Sequence, residues 1–239
     1  MQKLVYPVWA DEALAQDAFR DLLVQQLGPQ LASHSGVHGL RITVVDSAVA
    51  AASGRRMQSH PPTPDAVLSM WVDSAGRVQD WEDLIDSRVS RKNCYLVAEA
   101  EPLPSQQRHP SAPGERVYGM CQVVFFSRPA HLGKDDWLAL WQGSHTQVAI
   151  DTQSTFGYRQ NVVLQSMGED ALQFDAIVEE NFPDEAMTCD HAFYATGGDS
   201  ELLQQRMSTM MDSCARFIDF STIDVIPMSE YVIKPFARP

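Results

Sequence analysis

The sequence predicts an α+β protein: two ferredoxin-like units, each β-α-β-β-α-β, set in tandem and closed on one another as an intramolecular α+β barrel. Three observations carry this. A segment with four prolines and no apolar periodicity, residues 101–116, divides the chain. Strand-like and helix-like periodicities follow the same order on both sides of it. Short matches also align the halves: Gly39-Leu40-Arg41-Ile42-Thr43-Val44-Val45 with Gly157-Tyr158-Arg159-Gln160-Asn161-Val162-Val163, and Asp65-Ala66-Val67-Leu68 with Asp175-Ala176-Ile177-Val178.

In the first unit, residues 1–100, Leu4–Trp9 reads as a strand. Asp11 then caps a helix on which Leu14, Ala18 and Leu22 recur every four residues. Gly39–Val45 is the second strand. A small-residue and proline loop, Ser47–Pro64, leads to the third, Ala66–Val72, and Trp81, Leu84, Ile85 and Arg88 mark a short helix. Cys94–Ala98 closes the unit. The second unit, residues 117–239, begins with the strand Cys121–Phe126, followed by a helix from Lys134 to about Ile150. Strands Gly157–Leu164 and Phe174–Glu179 come next. Asp199 or Ser200 caps a long helix striped by Leu203, Met207, Met210, Cys214 and Phe217, and a last strand within Thr222–Ile233 is expected to break at Pro227.

A lone β-α-β-β-α-β unit covers one face of its sheet with its own helices and leaves the other face needing a partner. A second unit in the same chain can supply that partner. The chain is then a pseudo-dimer, monomeric or homodimeric in solution.

Composition narrows the function. At 239 residues with 44% hydrophobic side chains, the chain should bury about 70% of its unfolded surface without disulfide or metal support. A formal charge of −13 without a local basic cluster argues against nucleic acid as a partner. No apolar run approaches the roughly 20 residues of a membrane helix. The four cysteines form no CxxC pair, and the start lacks a signal-peptide core, which points to the cytoplasm. P-loop, GxGxxG and GxSxG motifs are absent, and Cys189-Asp190-His191 lacks a companion motif for zinc, so neither a metal nor another cofactor is expected.

The chemistry-bearing residues cluster in the second unit. Spacing of four places Trp137, Trp141 and His145 along one side of its first helix, where the tryptophans should face the sheet and the histidine border the same buried space. An imidazole there can move a proton near neutral pH. On the next strand Tyr158 and Gln160 share one face and Arg159 and Asn161 the other, and periodicity does not say which face meets the helix. Asp175 heads the third strand, where a turn or register role competes with acid–base work. Aligned on Gly39 and Gly157, the first unit has Phe19, Leu23 and Leu27 in place of Trp137, Trp141 and His145, so one polar and one filled pocket are expected.

The strand ending Phe125-Phe126-Ser127-Arg128-Pro129, the helix carrying Trp137-Leu138-Ala139-Leu140-Trp141-Gln142-Gly143-Ser144-His145 and the strand Gly157–Val163 together resemble the EthD family, named for an ethyl tert-butyl ether degradation protein. Phe174–Glu179 and Ser229–Ile233 resemble that family's third and last strands, extending the resemblance over residues 117–233. It implies a dimeric α+β barrel fold, a pocket between sheet and helices, and His145 as the polar residue of interest. The family's relatives include cofactor-free monooxygenases, cyclases, isomerases and lyases.

These readings converge on a cofactor-independent enzyme moving protons on a small aromatic, cyclic or unsaturated acid. His145 is the expected catalyst. Trp137, Trp141, Tyr158, Arg159, Gln160, Asn161 and Asp175 are the expected substrate contacts. Cofactor-free oxygenation and non-catalytic binding of an apolar intermediate are the alternatives.

Overall fold

A computed structural model describes residues 1–168 and 171–236. Its first half contains strands β1 (Gln2–Trp9), β2 (Val37–Val44), β3 (Ala66–Val72) and β4 (Tyr95–Leu103). Helix α1, built from Gln16–Asp21, a π-helical stretch Leu22–Leu27 and Gly28–Ser33, joins β1 to β2, and α2 (Gln79–Asp86) joins β3 to β4. The second half repeats this with β5 (Met120–Phe126), β6 (Gly157–Ser166), β7 (Ala176–Phe182) and β8 (Asp224–Lys234). Helix α3 comprises Lys134–Leu138, a π-helical stretch Ala139–His145 and Thr146–Thr152; α4 is Ser200–Cys214.

The strands lie in the order β3-β2-β8-β5-β7-β6-β4-β1, and antiparallel pairing of β1 with β3 closes the ring. Each half keeps the ferredoxin-like order, β4-β1-β3-β2 or β8-β5-β7-β6. Antiparallel seams β2–β8 and β4–β6 join them. Each of these eight strands therefore has two barrel neighbours, the arrangement that removes exposed edges, and a two-residue strand, Arg91–Lys92, pairs with β1 alone. The two π-helical stretches stand at equivalent places in the two halves, adding a structural likeness to the short sequence matches. Gly39 and Gly157 are equivalent too, and neither has room for a Cβ: Phe236 and Trp71 crowd the first, Asn181 and Ser105 the second.

Sequence expectations change at several points. Helix α1 begins at Gln16 behind Ala15, so Asp11 does not cap it. Strand β4 runs through Leu103 into the proline-rich segment, and a turn of helix, Ser105–Arg108, follows. Strand β8 passes Pro227 without breaking. Pro227 sits opposite Gln122 of β5, while on the other side β2 begins pairing only at Ser229, so its missing N–H costs no ladder bond there. The loop after β2 contains a 3₁₀ run, Ser47–Arg55, capped by Asp46.

Closure turns one face of every strand into a lumen. Val5, Val67, Val123, Phe125, Ile177 and Ile226 pack part of it. The outer faces carry the helices, giving one helix–sheet core per half.

Candidate functional site

In the second half, α3 lays Trp137, Trp141 and His145 against the outer face of β5–β8, all three buried. The Trp137 indole N–H donates to the Phe217 carbonyl at 3.0 Å, and that of Trp141 to the Tyr158 hydroxyl at 3.4 Å. His145 Nδ1 lies 2.9 Å from Ser213 Oγ on α4, and its ring centroid 4.6 Å from that of Phe217. Among the described residues Nε2 has no hydrogen-bond partner.

Trp141, His145, Tyr158 and Phe217 border a cavity of about 130 Å³ between α3, α4 and the sheet. Its polar lining comes from Gln122, His145, Gln153, Tyr158, Glu180 and Cys214, and apolar walls from Val178 and Phe217 among others. Glu180 is half-buried, and its carboxyl, which lines the cavity, makes no hydrogen bond or ion pair among the described residues. Burial alone pushes this acid up to about 7. Burial pushes the His145 imidazole the other way, down to about 4, so it is neutral at physiological pH. The Cys214 thiol is pushed up to about 12 by burial and then by Glu180, and the Tyr158 phenol is also held above its ordinary value by the same two causes. The site thus presents a neutral imidazole and a carboxyl poised to gain or lose a proton near neutral pH.

The strand registers reveal what distinguishes this space from its twin. Glu180 is opposite Gln122 on one side and Tyr158 on the other. In the first half Met70 is opposite Leu4 and Leu40 in the same arrangement. Leu27 takes the place of His145. Leu4, Leu27, Leu40 and Met70 are fully buried and belong to one continuous apolar core. Four facing positions are apolar in one half and polar in the other.

Not all the residues singled out from sequence meet here. Trp141, His145 and Tyr158 line the cavity, and Trp137 supports it from the adjoining core. Gln160 shares the helix-facing side, where its amide donates to Thr146 Oγ1 at 2.8 Å. Arg159 and Asn161 face the lumen, because alternation along β6 sends them to the opposite side from Tyr158. Asp175 stands before β7, partly exposed; it accepts from the Arg128 backbone N–H at 3.0 Å and pairs with the Arg128 guanidinium at 3.3 Å, a turn-fixing role. Glu180, Gln122 and Ser213 were absent from the sequence-based set. Glu179-Glu180 reads as an ordinary charged strand end, and only the register against Met70 marks the second glutamate.

The lumen residues form an ion network. Fully buried Arg159 donates to Glu230 at 2.8 Å and lies 3.4 Å from Glu179. Lys3 bridges Glu99 at 2.9 Å and Glu179 at 3.2 Å, while Asn161 donates to Glu179 at 3.2 Å. Burial would raise the Glu179 carboxyl, but Lys3, Arg159 and Arg41 outweigh it and hold the group well below the usual carboxylate range. Phe236 stacks on Trp71 at a centroid distance of 5.2 Å beside this cluster.

No family model and no curated protein matches the chain. Solved structures do. An anthrone oxidase-like protein aligns at a TM-score of 0.57 and 10% identity, over 99% of this chain and 94% of its own. A candidate monooxygenase from Fusobacterium nucleatum subsp. nucleatum ATCC 25586 aligns at 0.50 and 8% identity, over 98% and 92%. Identity this low speaks to fold alone. The fold is the dimeric α+β barrel, with both sheets contributed by one chain.

Proposed function

We propose that the second-half cavity is the active site of an enzyme that moves protons on a small aromatic or cyclic compound without a cofactor, as a lyase, isomerase or cyclase would. The observation that carries this reading is the unpaired Glu180 carboxyl on the cavity wall, facing a neutral imidazole at positions where the other half has Met70 and Leu27. A proton acceptor works best when its pKa lies near the working pH. Glu180 fits that requirement better than His145, so Glu180 takes the substrate proton. With the Ser213 hydroxyl donating to Nδ1, His145 carries its own proton on Nε2 and donates to the oxygen on which negative charge develops. Trp141 and Tyr158 supply the walls. Sequence alone left His145 as base or acid; this reading gives it the donor's part, because burial leaves the imidazole weakly basic.

The EthD resemblance over residues 117–233 belongs to this reading, supported by the order of elements and the buried helix histidine. A second reading is cofactor-free oxygenation, in which the same proton removal generates a carbanion that reacts with dioxygen; it draws on the names of the two neighbours. Turnover under strict anaerobiosis separates them. Unchanged rates support proton transfer, and rates that fall with oxygen support oxygenation. Retained ligand binding in His145→Gln and Glu180→Gln with no turnover in the parent protein would leave a binding protein instead.

A further inference from the structure

We infer that the cavity selects an uncharged, one-ring ligand and rejects carboxylates, a conclusion that deepens the active-site reading by giving its substrate class. Among the described residues no lysine or arginine lines the cavity; the polar groups facing it are Gln122 from β5, Tyr158 from β6, Glu180 from β7, His145 from α3, Cys214 from α4 and Gln153 beyond α3. None can carry a positive charge at neutral pH except His145, and that imidazole is desolvated with Nδ1 already engaged by Ser213. Of the two guanidiniums next to lining residues in sequence, Arg159 points into the lumen and is held by Glu230 and Glu179, and Arg216 lies at the surface, where it donates to Ser144 Oγ at 3.4 Å. A bound carboxylate would give up part of its hydration beside Glu180 with no cation in the cavity lining to replace it, which is costly. A neutral ring with a hydroxyl, carbonyl or amide would meet donors and acceptors from Gln122, Tyr158 and His145 at no such cost.

Size supports the same class. A cavity of about 150 Å³ accepts benzene in a protein interior. This one, about 130 Å³, is slightly smaller and opens to solvent, which limits the ligand to one ring with any substituent lying toward the mouth.

The test compares benzamide with benzoate, which share a shape and differ in charge, by calorimetry on the full chain at about pH 8, where Glu180 is mostly ionised. Benzamide is expected to bind at least about tenfold more tightly, and Glu180→Gln to narrow the gap by strengthening benzoate without changing benzamide much. Equal affinities, or tighter benzoate, would overturn the inference, as would failure of both to bind at millimolar concentration. A gap that Glu180→Gln leaves unchanged would overturn the assignment to this cavity. The wild-type comparison stands if the variant does not fold. Because binding is read without turnover, a neutral preference with no catalysis would contradict the enzyme reading and leave this one intact.

Discussion

The two halves of this chain build the same helix–sheet space twice and fill it differently. The first is closed by Leu4, Leu27, Leu40 and Met70, with the Trp81 indole N–H donating to the Tyr6 hydroxyl at 3.0 Å inside it. The second places Gln122, His145, Tyr158 and Glu180 at the equivalent positions and keeps a cavity. An isolated buried carboxyl costs stability. Its retention in one copy, against methionine in the other, teaches that the fold does not need it. Under the proposed function, one copy acts as scaffold and the other accepts a destabilising site, the division expected when stability and function compete.

The most drastic way to break the comparison is to separate its members. Residues 1–104 and 115–239, expressed apart, should each aggregate, or recover only when mixed. Each would expose a lumen face, and the Lys3–Glu179 and Arg41–Glu101 pairs of the intact barrel show how that face is charged. Sedimentation and circular dichroism report the outcome; a soluble monomeric half would contradict the shared barrel.

Next in size is the contrast between equivalent arginines. Arg159→Ala should cost about 3–5 kcal/mol by denaturant unfolding, because Glu230 and Glu179 are left buried without their main cation. Arg41, whose side chain is 13% exposed, sits at the matching place in β2 and is paired at 3.3 Å with Glu101. Arg41→Ala should cost less than half as much. Equal losses would show that the lumen is symmetric in energy despite its asymmetric burial.

For activity, once a substrate is in hand, Glu180→Gln should lower kcat by about 10² or more while ligand affinity is largely kept, and His145→Gln by a smaller factor, about tenfold. In the wild type kcat/KM should rise as Glu180 ionises through about 7. A larger loss from His145→Gln would restore the imidazole as the base.

The same glutamate gives a smaller stability signal whose sign is fixed. Its folded pKa, raised to about 7, lies above the unfolded value of about 4.3, so its favourable contribution is complete below about pH 4 and is lost as pH rises through 7. Glu180→Gln should therefore raise stability by about 2 kcal/mol at pH 8 and by almost nothing at pH 4. Thermal melts at the two pH values measure it. A gain of the same size at both would mean that Glu180 is not the group being titrated.

Much of this architecture was legible beforehand, and for physical reasons. The β-α-β-β-α-β order follows from apolar periodicity, and four-residue spacing brought Trp137, Trp141 and His145 to one buried side even with a π-helical stretch between them. Strand faces were less accessible. Arg159 and Asn161 alternate with Tyr158 and Gln160, and polar residues on alternate positions read as a solvent face until barrel closure makes that face an interior. The lumen ions Lys3, Glu99, Glu179 and Glu230 were hidden for the same reason, since each pairs with a residue far away in sequence. Glu180 was hidden beside Glu179: neighbours on a strand point to opposite faces, and one became a lumen ion while the other became the cavity acid.

The central claim is that one half alone carries a site. Calorimetric titration of the full chain with benzamide tests it most directly, repeated on a variant in which Glu180→Met and Tyr158→Leu give the second half the residues of the first. One ligand per chain, abolished in that folded variant, is the predicted result. Two equivalent sites per chain, or a single site that survives the substitutions, would contradict it.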